Sequence, residues 1–399
     1  NNWEIGGDYE YNTARGDRFK ILLISNSFTP ERLRERWNLT GPESESKNLF
    51  LDSASTTRER IVRSSYTLDL FQGSQDIELG AERAQTILDS SLALGVLNPS
   101  GTASAVVGGL VPVNVPNARS TVEEMRYEPF IIHNWVFNSR MSLESSVLYE
   151  DSQISQSGEI SKERNYDYVK PKLDFRYDLT PTIQLRGTME KIVQQLSFND
   201  FVAALDRNDE DRDVQFGNDN LKQEWYWNYE FNAEYRLPND IGVASARVFY
   251  EDWTDRIERI DVSPSKENLQ GASGNVGDGE KYGLELNSST RMRMIGLPNL
   301  LINASVSVED SRITDPFLGI DRRFSFSWRG RQTLSFRHDI PSRRMNWGVR
   351  YSNSQDGNRK FYDLIDIEVW DSDPFVTAFF EWRSPDNTTV RFEANQLGS

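Results

Sequence analysis

The chain has 399 residues, 37% apolar and 27% charged, with 61 acidic against 45 basic side chains and a net charge of −16. It contains no cysteine and only two histidines, His133 and His338, which excludes disulfide scaffolds, cysteine nucleophiles and Cys-type zinc or iron–sulfur sites and argues against a histidine-based metal site or triad. The acidic balance argues against a nucleic-acid backbone as partner, no apolar run is long enough for a membrane helix, and 10 Trp, 15 Tyr and 21 Phe are too many for a disordered acidic polymer.

From the start of the chain the dominant signal has period two. The first residues, Asn1-Asn2-Trp3-Glu4-Ile5-Gly6, lack the basic and apolar regions of a signal peptide, as in a cytosolic protein, a mature chain or an internal fragment. There Trp3, Ile5, Tyr9 and Tyr11 oppose Glu4, Asp8, Glu10 and Asn12. A polar stretch at 28–56 and a mixed one at 89–120 come next. Trp135, Phe137, Met141, Leu143, Val147 and Tyr149 then face away from Asn138, Arg140, Ser142, Glu144 and Ser146. After 150–165, Ile183, Leu185 and Met189 form a shorter version, followed by another long segment at 192–221.

The clearest strand is 224–237. Trp225, Trp227, Tyr229, Phe231, Ala233, Tyr235 and Leu237 occupy one parity; Glu224, Tyr226, Asn228, Glu230, Asn232, Glu234 and Arg236 occupy the other. Successive strand side chains point to opposite faces, so this pattern is a strand with one apolar face. Beyond 257–276, Ile302, Ala304, Val306 and Val308 repeat it. After 312–323, Phe324, Phe326, Trp328, Leu334 and Phe336 oppose Ser325, Ser327, Arg329, Arg331, Thr333, Ser335 and Arg337. The chain closes with Trp347, Val349 and Tyr351, a polar stretch at 354–373, then Val376, Ala378, Phe380 and Trp382, then Val390 and Phe392.

This amounts to about sixteen strands of roughly ten to fifteen residues, longer than the 5–6 usual in globular sheets and matched to a tilted membrane strand. Turn formers at 14–17, 73–76, 180–181, 237–240, 296–299, 341–342 and 384–387 alternate with the long segments. Short turns on one side and long loops on the other are the mark of an outer-membrane barrel. A soluble β-sandwich or propeller would alternate equally. Strand length, and aromatic residues near strand ends (Trp3, Trp135, Tyr149, Trp225, Trp253, Trp347, Trp382), favour the membrane barrel. A wet lumen then explains the low apolar share, because half of each strand can be polar. No linker or composition shift divides the chain, so residues 1–399 read as one domain.

The stretch Gly217-Asn218-Asp219-Asn220-Leu221-Lys222-Gln223-Glu224, before the aromatic strand, resembles the GN-x-x-L-x-x-E signature of TonB-dependent receptors. Asp219 and Gln223 stand where that family often has Pro. In the same order, Tyr168-Val169-Lys170-Pro171-Lys172-Leu173 resembles its Y-x-x-P-x-L strand start. The run Val193-Gln194-Gln195-Leu196-Ser197-Phe198-Asn199-Asp200-Phe201 resembles the segment ahead of the GN motif. Asn275-Val276-Gly277 with Tyr282-Gly283-Leu284-Glu285, and Thr314-Asp315-Pro316 with 319–323, resemble later pieces. The resemblance covers most of the chain, about 1–396. It implies an all-β, antiparallel transmembrane barrel of 22 strands, of which this chain supplies an internal or C-terminal portion without the plug domain. It also implies energised uptake of a scarce nutrient (ferric siderophore, haem, cobalamin or carbohydrate) across the outer membrane of a Gram-negative bacterium. The partners implied are outer-membrane lipid, the receptor's own plug and, through the plug, the TonB complex; the ligand and its contacts stay open. The alternatives are a passive porin-like channel and a soluble β-rich binding or hydrolytic protein.

Family-motif residues are thus Gly217, Asn218, Leu221 and Glu224, and the lipid-facing strand residues are Trp225, Trp227, Tyr229, Phe231, Phe324, Phe326 and Trp328. The loop 205–219 carries Asp206, Asp209, Glu210, Asp211 and Asp213 between Arg207 and Arg212. It lacks the EF-hand spacing and reads as a solvated acidic loop, with no metal assigned. Leu92, Leu94, Val96, Leu97, Val106, Val107, Leu110, Val111 and Val113 read as a self-packing cap. Glu123/Glu124 and Asp371/Asp373 lack the separation and cleft of a glycosidase pair, so no catalytic residue and no cofactor is assigned. Arg329, Arg331, Arg337 and Arg350 sit on the polar parity, where lumen or plug carboxylates are the expected partners. Parity also predicts that Trp227→Asp and Phe326→Asp impair membrane assembly, at a cost of up to a few kcal/mol near the midplane, while Asn228→Asp and Ser327→Asp are tolerated. Heat-modifiable migration on gels measures the difference, and equal effects on both parities would defeat the barrel assignment.

Overall fold

The computed structural model describes residues 2–41, 44–159, 161–203, 215–266, 269–355, 359–364 and 366–397. The first strands are β1 (Trp3–Asn12), β2 (Arg18–Phe28), β3 (Glu31–Gly41), β4 (Ser44–Leu70), β5 (Gln75–Val96), β6 (Val111–Val113) and β7 (Arg119–Asn138). Then come β8 (Met141–Gly158), β9 (Lys162–Thr180), β10 (Ile183–Val193), β11 (Trp225–Arg236), β12 (Gly242–Asp261), β13 (Gly271–Met292) and β14 (Leu297–Thr314). The last are β15 (Asp321–Arg322), β16 (Gly330–Ile340), β17 (Met345–Gln355), β18 (Arg359–Tyr362), β19 (Ile367–Trp370), β20 (Phe375–Arg383) and β21 (Thr389–Ala394). Nineteen of these form one antiparallel sheet, while β18 and β19 make a separate hairpin.

β2 and β3 lie end to end along β4, parted at Thr29-Pro30, where proline has no N–H to give the ladder. Taking them as one stave and setting aside the short β6 and β15 leaves sixteen staves in the 19-stranded sheet. Each stave pairs with its sequence neighbours, and the sheet is open between β1 and β21. Eight short turns lie at one end, including the seven expected. The one between β7 and β8, at residues 139–140, splits the run 135–149 that alternation alone reads as a single strand.

At the other end the strands outrun the sequence reading. β4 has 27 residues, and β5 and β13 have 22 each. Much of the polar segments 28–56, 150–165 and 257–276 is therefore ladder rather than loop. Above the membrane both sheet faces meet polar surroundings, so pairing continues without the alternation that marks a strand in lipid.

Register builds two chemically distinct faces. Across β11 to β14, Phe231, Val248, Leu284 and Val308 stand side by side on one face. Phe231 and Val248 are 51% and 53% exposed. On the opposite face Arg247 bridges Glu230 and Glu285 across three strands, at 2.6 and 3.1 Å. Phe249 on that polar face lies over Gly283, where any Cβ would sit 2.6 Å from its ring, and Arg247 covers the ring at 4.6 Å. The same arrangement recurs with Phe130 over Gly80 under Arg63, and with Phe379 over Gly348 under Arg391. Glycine lets the ring lie flat on the sheet, and the guanidinium gives its exposed side a polar cover.

Three of the expected lipid-facing residues are placed elsewhere. Residues 324–329 belong to no strand, and the β14–β16 ladder starts only at Val308 opposite Gly330. Phe324 is buried with Trp253 and Ile313, and Phe326, at φ 57°, stacks on Phe361 with centroids 5.1 Å apart. Trp328 carries Arg359 on its ring at 4.2 Å. Here the period-two aromatics serve a loop core: Phe324 packs on Trp253 of β12 and Ile313 of β14, while Phe326 and Trp328 pack on Phe361 and Arg359 of the β18–β19 hairpin. The paired substitutions at Phe326 and Ser327 therefore do not probe lipid contact, whereas Trp227 and Asn228 remain on the two faces of β11.

Candidate functional site

The segment between β10 and β11, seen at residues 194–203 and 215–224, folds onto the polar face of the sheet. Leu196, Phe201, Val202 and Leu221 bury themselves against Leu88 of β5, Val122 of β7 and Ile154 of β8. These three wall residues share the parity of the ion-paired side chains, so the loop occupies the interior. The acidic run Asp206, Asp209, Glu210, Asp211 and Asp213, with Arg207 and Arg212, lies outside the described residues.

The family-motif residues clamp this loop in place. At Gly217 a side chain would collide with the Phe201 carbonyl, so the backbone passes close only as glycine. The Asn218 N–H donates to Asp200 O at 2.7 Å, and its amide Nδ2 donates to Ser273 O at 2.9 Å. Leu221 is fully buried, and its carbonyl accepts from Arg164 at 2.8 Å and Tyr166 at 2.7 Å. Asn275 accepts from the Lys222 N–H and donates to the Lys222 and Asp255 carbonyls. Asp200 accepts from Gln215 and Ser273. Three segments quoted above for the resemblance, 193–201, 217–224 and 275–285, thus meet at one place.

Glu224 closes the clamp. It accepts from Arg256 Nη1 at 2.9 Å and from the Ile257 N–H at 2.6 Å. Burial pushes its carboxyl up from the ordinary value, although Arg256 and the Ile257 N–H oppose that. Arg256 lies 4.6 Å from the Trp253 ring and 4.9 Å from the Phe324 ring, and its Nε sits 3.6 Å from Glu258. A register shift in β12 between Trp253 and Ile257, with Asp255 at φ 54°, re-aims Arg256 toward both loops.

Two charged knots flank the clamp. Glu150 of β8 is fully buried and accepts from Lys170 at 2.9 Å, Gln223 at 2.9 Å and Gln195 at 3.3 Å. Gln195 and Gln223 come from opposite ends of the loop, so one carboxylate staples both to the wall; Lys170 also binds Glu128. In the second knot Arg322 donates to Asp315 at 2.6 Å and to Glu258 at 3.2 Å, and stacks 4.0 Å from the Tyr362 ring. Ser325 Oγ donates to Glu258 as well. Burial alone would raise the Asp315 carboxyl, but Arg322 and the Leu318 and Phe317 N–H groups hold it below its ordinary value.

The apolar 89–120 stretch divides. Leu92 packs with Leu51, Val115 and Ala203, and Val107 and Leu110 are buried, in keeping with a cap, while Val106 is 75% exposed. Glu123 and Glu124 point to opposite faces of β7, with Glu123 bonded to Gln85. Arg337 pairs with Asp339 on its own strand rather than across the lumen, and Arg331 lies 5.5 Å from the Trp328 ring. A cavity of about 290 Å³ lies between the loop and the wall, lined by Glu59, Thr86, Glu124, Arg126, Gln195 and Asn199 among others. Glu150, Glu128, Arg256 and Arg322 were not singled out from sequence, where a buried polar-parity charge reads like a wet one.

A two-faced antiparallel sheet with short turns at one end and a loop folded into its interior defines the wall of an outer-membrane β-barrel. The family described as TonB dependent receptor-like, beta-barrel matches residues 1–396, and the chain belongs to it. Solved structures share the fold at low identity. The ferric yersiniabactin uptake receptor FyuA from Yersinia pestis superposes with a TM-score of 0.69 at 14% identity, covering 99% of this chain and 55% of its own. The alcaligin outer membrane receptor FauA from Bordetella pertussis gives 0.61 at 12%, covering 98% and 58%. The copper transporter OprC gives 0.74 at 12%, covering 98% and 59%. The chain therefore spans a little over half the length of these structures. No curated protein sequence matches it. The family is one of outer-membrane receptors and transporters of Gram-negative bacteria, not of enzymes.

Arg256→Ala strands the buried Glu224 carboxylate and should cost about 1–3 kcal/mol, read as faster amide exchange in both 215–224 and 324–329; exchange confined to either segment would contradict the hub role. For Asp315, a lowered folded-state value means its contribution is complete above the ordinary value of 3.8 and is lost as pH falls through the lowered one. The Asp315→Asn variant should melt below wild type at pH 7, with the gap closing only under pH 3.8; a gap that closes by pH 5 would contradict this.

Proposed function

We propose that the chain forms a portion of the barrel domain of a TonB-dependent receptor that takes up a scarce nutrient by an energised route, with a plug domain completing the interior and linking it to the TonB complex. The observation that carries this reading is the pair of loop segments 194–203 and 215–224, clamped across the polar face by the motif residues Gly217, Asn218, Leu221 and Glu224. Such a loop narrows the interior, which suits a gated receptor better than a passive pore. The ligand is of the class of ferric siderophores, haem, cobalamin or carbohydrates. Ferric siderophores come first because the similar structures include a ferric yersiniabactin and an alcaligin receptor. Trp225, Trp227, Tyr229 and Phe231 face lipid in this reading, and ligand capture falls to the long-loop end.

The complete receptor in a planar bilayer should show no steady open conductance. In cells, accumulation of its ligand, screened as radiolabelled ferric siderophores, haem and cobalamin, should stop when the proton gradient is collapsed. A steady conductance, or accumulation indifferent to the gradient, would return the protein to the passive channels.

A further inference from the structure

The net charge of −16 is not spread evenly over the molecule. At the short-turn end, three consecutive hairpins carry Arg291, Arg293, Arg343, Arg344 and Arg383, all exposed. None of the five makes an ion pair among the described residues. They are brought together by the sheet. The Arg383 N–H donates to Arg344 O at 2.9 Å, and the β14–β16 register, Leu300 opposite His338, sets the turn holding Arg293 beside the turn holding Arg343. The carboxylates of the two later hairpins are engaged locally, Asp339 with Arg337 at 2.9 Å and Asp386 with Ser384 and Thr388.

Two neighbouring features say what meets these arginines. On the lipid face, His338, Trp347, Phe380 and Phe392 stand in one cross-strand row, a girdle of the kind that marks the membrane interface. The arginines follow within a few residues of that row, on the side away from the bilayer centre, where headgroups lie. Beside them, Met294 and Ile295 are 66% and 64% exposed at the tip of the β13–β14 turn. Apolar side chains next to unpaired guanidiniums fit a surface that is anionic above and hydrocarbon below, and guanidinium matches phosphate in a two-pronged geometry. A soluble acidic partner would account for the charge but not for the exposed Met and Ile beside the girdle.

We propose that this edge of the barrel binds anionic phospholipid of the periplasmic leaflet, with Arg293, Arg343 and Arg344 on the headgroup phosphates and Met294 and Ile295 among the upper acyl carbons. The site would anchor the short-turn end at a fixed depth while the loops at the other end move. It rests on the outer-membrane placement of the family and is independent of what the receptor imports.

The test is native mass spectrometry of the complete receptor in detergent, titrated with phosphatidylglycerol, phosphatidylethanolamine or lipopolysaccharide. The wild type should retain phosphatidylglycerol over phosphatidylethanolamine. The triple variant Arg293→Gln, Arg343→Gln, Arg344→Gln should lose at least about tenfold in phosphatidylglycerol retention, with phosphatidylethanolamine unchanged and heat-modifiable migration intact. Arg119→Gln, at the opposite end of the sheet, should retain phosphatidylglycerol as the wild type does. If the triple variant fails to fold, the single Arg343→Gln change should still weaken retention severalfold. Equal retention of both phospholipids by the wild type, undiminished phosphatidylglycerol on the folded variants, or preference for lipopolysaccharide would overturn the proposal.

Discussion

The arginine at position 256 is the point on which the interior of this molecule depends. Its guanidinium lies against both the Trp253 and Phe324 rings, which meet edge to face, and donates to Glu224, so it joins the β10–β11 loop to the β14–β16 loop. Neither partner is free to leave. A carboxylate as buried as Glu224 is costly without a cation, and a guanidinium facing two rings draws part of its stabilisation from their quadrupoles. The register shift in β12 makes this geometry available, because a regular strand would carry residue 256 to a different angle. Glu258 and Arg322 extend the same chain of charge to Asp315 and the Tyr362 ring.

Two constraints explain why so polar a sequence makes a membrane wall. Every backbone group must be paired in lipid, which the ladders supply, and only one face of each stave has to be apolar. The other face is free to carry Arg247 between Glu230 and Glu285, or Lys170 between Glu128 and Glu150. Where that face does hold aromatics, as at Phe130, Phe249 and Phe379, each ring lies on a glycine of the next strand beneath an arginine. The low apolar share is a consequence of geometry rather than of weak folding.

Much of this was legible in the amino-acid sequence where lipid imposes its rule. The strand 224–237 lies almost where alternation puts it, and all seven expected short turns fall at one end. Legibility fails beyond the membrane. Residues 44–56 join β4 although their pattern is polar, since a ladder already started needs no apolar face to continue. Phe324, Phe326 and Trp328 alternate as a strand does but fill a loop core, because period two records spacing and not destination. Glu150 shows a second limit. Its burial is created by Gln195 and Gln223, separated from it by 45 and 73 residues, and no local pattern announces such partners. The motif 217–224 was visible as a signature, while its work as a clamp emerged only from the partners it meets.

These findings give the family signature a physical task, which is to hold a long segment inside the wall. Since the chain has no cysteine, a single introduced thiol reports accessibility without interference from other thiols of this domain. The decisive comparison is maleimide labelling of intact cells carrying Val202→Cys, at a fully buried loop position, or Val106→Cys, at an exposed one. Labelling should be rapid at 106 and blocked at 202, with that protection lost when Arg256→Ala is added. Equal labelling at both positions in the otherwise unaltered receptor would contradict this, because the loop would then project outward rather than lie clamped against the wall.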